Sequence, residues 1–503
     1  MVAPHYSLVS PAVPFAALRH PFIDRFGQFA HAEWPEKVHD EAEFAADLAA
    51  ERAALRPAPA AWDRFGGWKE GPVVAQATTQ SRGAGPSCPA FGTAKVDGRW
   101  WLVTPEGHLF FSFGVDTLRH QTDVLNGHRH PAWYETPPPK NGAMAFTHWN
   151  LQHKFGKRDY LADYYRFIHE RLASWGFNTI GRWGAWRLPA AGRTPYLLQL
   201  ESPARAPRLP GTRIYDVFHP DFEEKFRDGV LAQARKEPAI AAAAEDPFCI
   251  GLSIDNEPSF GTMIPVMMAQ DFRDSPAKNA FFERIRAKYA SLAAINSAWG
   301  TRLATWPELM SLPAPLPGAG FAADANDFIL DWLRRYFSAA RSALKSIAPQ
   351  RLYFAAAFAG MEQPTAAWDA AAESADVLMA DVHLRDASAL RPLCSPSAPE
   401  KPLILGAFTF GCLDRGMFAT GPVALPDQAA RADALRTFVR GALENPLVVG
   451  AHWFQYRDQP IIGRDDGEAF EIGLVDVCDR PYREVIDAAR EIGERLYGRV
   501  QSL

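Results

Sequence analysis

Short apolar runs alternate with longer amphipathic stretches along most of this chain. The apolar runs are continuous, which is typical of strands buried on both faces of a parallel sheet. Eight such runs occur, at residues 109–115, 179–181, 196–200, 250–254, 352–356, 377–382, 403–406 and 448–453. Between them, apolar residues recur with the period of a helix, at residues 160–175, 221–236, 277–296, 325–348, 427–444 and 482–497.

This alternation predicts an α/β fold in which a parallel sheet is covered by helices. Eight strands favour a closed (β/α)8 TIM barrel over an open sheet. We expect the barrel to occupy residues 96–503, with residues 1–95, including a helix at 41–55, as an N-terminal extension packed on it. Long loops are predicted at residues 116–158 and 258–276, with an insertion at 310–324. They follow the C-terminal ends of strands, where barrel enzymes build their active sites.

Composition narrows the function classes only slightly. The chain has 503 residues and a net charge of -5 without a Lys/Arg run, which argues against a nucleic-acid partner. No apolar run reaches the length of a membrane span, and no signal-peptide pattern opens the sequence. We therefore expect no membrane partner and a cytoplasmic protein, or a periplasmic or secreted one if a signal was removed. The oligomeric state stays open.

Cofactor and metal motifs are also missing from the sequence. The five cysteines are scattered, which indicates neither a disulfide framework nor a structural zinc site. The close pair His128 and His130 has no third ligand at a recognisable spacing. No G-x-G-x-x-G follows an early strand, so we expect no cofactor and no metal. The 15 Trp and 33 Phe fit either a well-filled core or platforms for sugar rings.

The strongest local signal for chemistry is the end of the fourth predicted strand. Asp255, Asn256 and Glu257 follow the apolar run at 250–254 directly. A carboxylate at the mouth of a barrel strand is costly to bury and therefore indicates a function. In a glycosidase, Glu257 would protonate the leaving glycosidic oxygen, and Asn256 would hold the sugar 2-hydroxyl. The alternative is a cluster that caps a helix.

Asn-Glu-Pro at this position resembles the acid/base signature of the retaining glycosidase clan with (β/α)8 barrels. Within that clan, the chain resembles the agarase-like glycoside hydrolases of family fifty over nearly its whole length. The matching stretches are DRFGQ at 24–28, WPEKV at 34–38, WWLVTPEGHLFFS at 100–112, WGFNTI at 175–180, LDRG at 413–416, HWFQY at 452–456 and IGLVDVCDRPY at 472–482. The resemblance implies a retaining enzyme that cleaves β-galactosidic bonds in an oligo- or polysaccharide, typically a β-agarase.

One departure from the family concerns the second carboxylate that a retaining enzyme needs. The resemblance implies a nucleophilic Glu at the end of strand seven, but Ala407 occupies that position. Three explanations stay open: a deliberate inactivating change, another nucleophile or an inverting mechanism, and a binding protein without catalysis. A further alternative is an exo-acting β-galactosidase on short oligosaccharides.

Several other residues at predicted strand ends are candidates for substrate binding: Asp116, Arg119, Arg182, Trp183, Asp381, His452, Trp453 and Gln455. The resemblance implies that Trp453 forms the floor of the subsite for the cleaved sugar. Asn178 is a weaker candidate, and Glu468 and Glu471 are carboxylates past the last strand. For each of these residues a packing or salt-bridge role is the alternative.

Overall fold

The computed structural model describes residues 15–74, 89–120, 130–136, 145–185, 187–188, 192–464 and 467–498. Cys88 and His128 lie outside these ranges. Among the helices described, none is both long and apolar enough to span a bilayer.

A small antiparallel sheet precedes the main one. It consists of β1 (Gly92–Val96), β2 (Arg99–Val103) and β3 (Leu109–Phe110), in the order β1-β2-β3. The predicted first strand, 109–115, is therefore divided: its first two residues pair with β2, and β4 (Ser112–Val115) enters the main sheet.

The main sheet has nine parallel strands in the order β8-β7-β6-β5-β4-β12-β11-β10-β9. After β4 these are β5 (Thr179–Ile180), β6 (Tyr196–Leu200), β7 (Cys249–Ile254), β8 (Leu352–Tyr353), β9 (Phe358–Ala359), β10 (Leu378–Asp381), β11 (Leu403–Phe408) and β12 (Val448–Trp453). The two outermost strands, β8 and β9, come from one short stretch of chain. Bridges from Phe354 to Val377 and from Asn256 to Ala357 link this stretch to both of its neighbours. The sheet is therefore curled, and the prediction of a parallel sheet with helices is confirmed.

Each predicted helix has a counterpart in the structure, and two stretches have different bounds from those predicted. Five further helices of the described residues lie where the sequence predicted none, two of them inside the predicted long loops 116–158 and 258–276. The helix bounds are α1 Ala42–Ala54, α2 Ala145–Phe155, α3 Leu161–Trp175, α4 Phe222–Lys236, α5 Pro238–Ala242, α6 Met263–Met268, α7 Pro276–Lys288, α8 Leu292–Trp299, α9 Trp306–Met310, α10 Ala319–Ile347, α11 Thr365–Ser374, α12 Gln428–Glu444 and α13 Arg483–Arg495. The predicted helix 277–296 is wrong as one element. It is α7 and α8, because the Ser291 side chain caps a new helix by accepting from the Ala294 amide at 3.3 Å. The predicted insertion 310–324 is partly helical, since α10 begins at Ala319 and already buries Phe321.

The buried apolar residues form two main layers. The larger layer lies between the sheet and the helices and includes Leu403 and Leu405 of β11. Ile404, between them, belongs instead to a separate cluster with Ile250 and Phe110. This alternation is what successive side chains of a strand produce.

A buried ionic cluster fastens the N-terminal part of the chain to the sheet layer. Asp479 is fully buried and contacts Lys154 at 2.9 Å, Arg171 at 2.8 Å and Arg457 at 2.8 Å. Arg171 also pairs with Glu51 of α1 at 2.7 Å. Burial alone would raise the pKa of Asp479, but its three cations outweigh it and hold that pKa far below the usual range.

Candidate functional site

The C-terminal ends of four strands converge on one guanidinium. Arg182, just after β5, is fully buried and donates to Asp381 Oδ1 at 2.6 Å and to Asn256 Oδ1 at 2.7 Å. Its backbone amide donates to Asp116 Oδ1 at 2.8 Å, and its Nη2 lies 3.7 Å from Asp116 Oδ2. The structure therefore brings together four of the predicted site residues: Asp116, Arg182, Asn256 and Asp381.

The charge on Arg182 persists because two carboxylates face it. Burial alone would lower the pKa of this guanidinium, but Asp381 and Asp116 outweigh burial and raise it. Planar guanidinium groups suit such multiple carboxylate contacts, and they orient their partners as well as neutralising them. Arg182 therefore fixes both Asp381 and the exposed amide of Asn256.

Glu257 follows β7 on a tight turn. Its backbone φ is 46°, that of Asp255 is 64°, and its amide donates to the Ala357 carbonyl at 2.9 Å. Left-handed backbone at residues other than glycine costs about 1 kcal/mol or more each and concentrates at functional sites. The turn presents a half-buried carboxyl group beside the Arg182 cluster.

The pKa of Glu257 is raised to about 7, first by burial and then by the charge of Asp381, with Arg182 opposing. Burial is therefore the main cause of the raised pKa of Glu257, and Asp381 is the carboxylate that adds most to it. A carboxylic acid that keeps its proton near neutral pH is suited to general-acid catalysis.

Ala407 lies beside Asp381 in the sheet. The two residues are Cα partners between β10 and β11, and the Val382 amide donates to the Ala407 carbonyl at 2.8 Å. Ala407 is 4% exposed, yet none of the hydrophobic clusters of the described residues includes it. It falls in an irregularity of pairing between Leu405 and Phe408. The pKa of Asp381 is raised to about 6, chiefly by burial.

His452 lies inside the sheet rather than on an accessible rim. It is fully buried, its Nε2 is 2.8 Å from Ser112 Oγ, and its Nδ1 is 3.7 Å from Asp116 Oδ1. Gly181 makes room for this contact, since a Cβ there would lie 1.9 Å from Asp116 Oδ1 and 3.0 Å from His452 Nδ1. The His452 ring therefore lies next to Asp116 without donating a hydrogen bond to it.

Trp453 is packed between the sheet and the helices, and its predicted role as a sugar platform does not fit this position. Its exposure is 0%, its indole N–H donates to the Ile472 carbonyl at 2.9 Å, and its ring lies 5.5 Å from that of Phe408. A pairing shift in β12 passes over Val449. It sets the alternation so that His452 points inward and Trp453 outward.

An aromatic pair stands at the strand ends instead, and only one of its two members, Trp183, was predicted from the sequence. Phe454, after β12, is only partly buried, and its ring meets Trp183 edge-on at 5.9 Å. The Trp183 ring lies 4.2 Å from the guanidinium carbon of Arg182. Phe454 could have been predicted from its position directly after an apolar strand, but the sequence interpretation assigned the sugar platform to Trp453.

The other candidates serve neighbouring structure. Arg119 donates to the Trp183 carbonyl at 2.7 Å, and Gln455 is buried and donates to the Arg457 carbonyl at 2.7 Å. Asn178 precedes β5, at the opposite end from the site, and its side chain bonds the backbone of Phe113 at 2.9 Å. The expectation of a sugar contact by Asn178 is therefore wrong.

The two late carboxylates lie in different surroundings. Glu468 is partly exposed and accepts from Gln459 at 2.6 Å, and its charge contributes a small rise to the pKa of Glu257. Glu471 is fully buried and accepts from Gln428 at 2.9 Å and from Cys412 at 3.2 Å. Burial raises the pKa of Glu471 to about 8.

Two groups of described residues have ligand atoms close enough to share a cation. One is Asp63, Glu106 and His108, and the other is Cys412, Asp414 and Glu471. In the second group the Gln428 amide nitrogen lies 2.9 to 3.3 Å from all three ligand atoms. An amide donor therefore occupies the centre of that group and satisfies it by hydrogen bonding.

Comparison with known proteins shows which proteins the chain is similar to. No family model matches the sequence. Beta-agarase B of Vibrio sp. (strain JT0107) is 28% identical over 94% of this chain, and Beta-agarase A of the same strain is 31% identical over 80%. The chain spans about half the length of these curated relatives, 54% and 45% respectively.

Solved structures of agarases also share the fold of this chain. The agarase AgWH50C is 29% identical and superposes with a TM-score of 0.84, covering 97% of this chain and 75% of that one. An exo-beta-agarase is 27% identical with the same TM-score, covering 95% and 73%. The chain is a homologue of the family-fifty agarases. The family resemblance seen in the sequence is thereby confirmed.

Proposed function

We propose that this chain is an agarase-like glycoside hydrolase fold that binds β-galactosides of an agar-type oligo- or polysaccharide, with Glu257 as its acid/base. The observation that carries the proposal is the half-buried Glu257 carboxyl beside Arg182 and Asp381, with a pKa raised to about 7. A general acid works best when its pKa lies near the operating pH. The agarase homologues support the substrate class.

The mechanism we propose is double displacement. A carboxylate at position 407 would attack the anomeric carbon while Glu257 protonates the leaving oxygen, and Glu257 would then deprotonate the water that releases the sugar. Ala407 has no group that can attack. The chain as given should therefore bind substrate without retaining turnover.

We also propose how the surrounding residues serve binding. Asn256, held by Arg182, offers its amide N–H groups to a sugar hydroxyl. Phe454 and Trp183 present an apolar surface next to the polar cluster, as the weakly polar face of a pyranose requires. The nine strands would form an eight-stranded barrel in which β8 and β9 are two halves of one bulged strand.

A specific observation supports one rival mechanism. Asp381 is the carboxylate whose charge acts most strongly on Glu257, so it is the candidate base for inverting hydrolysis. However, Asp381 is buried and its carboxylate is bound by Arg182, which leaves little access for a water molecule. We therefore favour the loss of the nucleophile at position 407.

The test compares the chain as given with Ala407→Glu and with Ala407→Gln as the matched control. Release of reducing sugar from galacto-oligosaccharides should appear only in the Glu variant, and NMR should show the β-anomer first. Activity in the chain as given that Asp381→Asn abolishes, with an α-configured first product, would establish inversion instead. Substrate binding without activity in any variant would establish a carbohydrate-binding protein.

A further inference from the structure

The turn that carries Glu257 is held by a network on its hidden side. Asp255 is 5% exposed, and its carboxylate accepts from three hydroxyl groups. The Tyr336 hydroxyl of α10 donates to Oδ2 at 2.6 Å and the Tyr215 hydroxyl donates to Oδ1 at 3.0 Å, while Ser202 also donates to Oδ1. These donors come from three separate segments, so they fix the carboxylate in space.

The backbone of the same turn is fastened as well. Gln199 Nε2 donates to the Asp255 carbonyl at 2.9 Å, and Gln199 is itself held by the Ser253 hydroxyl at 2.6 Å. On the other side, the Glu257 amide donates to the Ala357 carbonyl at 2.9 Å. Two left-handed residues, Asp255 and Glu257, are therefore locked between a buried anchor and the neighbouring strand.

We propose that Asp255 is a positioning residue whose carboxylate, held by Ser202, Tyr215 and Tyr336, aims Glu257 at the leaving oxygen of the substrate. The inference rests on the proposed function of Glu257. Asp255 lies behind the turn and is buried, so it acts through Glu257 and not on the sugar. Left-handed backbone persists only where the surroundings determine it, and small misplacements of a catalytic group lower rates strongly.

The chain offers a matched pair of tyrosines for the test. Tyr336→Phe removes one hydroxyl donor to Asp255 and keeps the ring. Tyr353→Phe is the control, because the Tyr353 hydroxyl is equally buried and has no hydrogen-bond partner among the described residues. Asp255→Asn is the second test variant, since it keeps the shape of the anchor and removes its charge.

The first readout uses the Ala407→Glu background and two aryl β-galactosides, one with a poor leaving group and one with a good one. A misaimed acid should lower kcat for the poor leaving group by roughly tenfold to a hundredfold, and much less for the good one. Tyr353→Phe should leave both unchanged. Equal losses on both substrates, or no loss on either, would overturn the positioning role.

The second readout does not need activity. In the chain as given, ¹³C NMR should show the Glu257 carboxyl titrating near pH 7, assigned by its absence in Glu257→Gln. The groups that act on it are Asp381, Arg182 and Glu468. The titration midpoint of Glu257 should fall by about 0.5 pH units or more in Tyr336→Phe and Asp255→Asn, because a loosened turn admits water. It should be unchanged in Tyr353→Phe.

The two readouts separate the hypotheses. An unmoved midpoint in both test variants would refute the positioning of Glu257. A moved midpoint in a background that is inactive on both substrates would support the positioning and contradict the proposed function.

Discussion

Replacing Glu257 by Gln should stabilise the protein, and the gain should grow with pH. The folded state holds the Glu257 proton up to a pKa of about 7, whereas the unfolded chain loses it near the usual 4.5. Between these values the folded state binds more protons, so the stability of the chain as given falls as pH rises. A glutamine side chain does not ionise, so the stability of the Gln variant does not fall with pH for this reason.

The magnitude follows from the two pKa values. Their difference corresponds to about 3 kcal/mol, and solvent access to the half-buried carboxyl reduces the expected gain to about 2 kcal/mol. Urea unfolding at about pH 4 should show little difference between the two proteins, and at about pH 8 the Gln variant should be more stable by that amount. Exposed Glu362→Gln is the control. A gain for Glu257→Gln that is equal at both pH values would refute the burial argument.

Two further changes address the ionic anchor and the aromatic pair. Asp479→Asn should destabilise the fold by about 3 kcal/mol or more, because three buried cations lose the carboxylate that they share. Urea unfolding checks this against exposed Asp433→Asn, and a loss of stability below about 1 kcal/mol would contradict it. Phe454→Ala should weaken galacto-oligosaccharide binding by about tenfold, as measured by calorimetry. Phe454→Tyr should preserve the affinity. Equal affinities of the Ala and Tyr variants would show that Phe454 is not part of the binding surface.

The polar residues at the strand ends were largely predictable from the sequence. Glu257, Arg182, Asp116 and Asp381 each lie at or just after the end of an apolar run, and the ends of parallel strands meet at one edge. The local sequence pattern was enough to predict the position of each residue, because that position depends only on the strand that carries the residue.

The side on which a residue points was not predictable. Trp453 follows an apolar strand like the others, but a pairing shift near Val449 sets the alternation of β12 and turns its ring toward the helices. Such a shift depends on contacts with β11, which lies far away in sequence, so no local pattern records it. The anchor of Asp255 was missed for the same reason, since Ser202, Tyr215 and Tyr336 are distant along the chain.

The charge balance at the strand ends gives a physical meaning to Ala407. One guanidinium, Arg182, already faces Asp116 and Asp381, with Glu257 nearby. A Glu at position 407 would add a further carboxyl group beside Asp381, because these two residues are partners in the sheet. Like charges in a buried site raise each other's pKa, so the acid at Glu257 would hold its proton more firmly with that group than without it. If the proposed function is correct, an alanine at position 407 lacks both the attacking group and part of the repulsion that would keep Glu257 protonated. With alanine in place, burial and Asp381 still raise the pKa of Glu257 to about 7, so a proton near neutral pH does not require a carboxyl group at position 407.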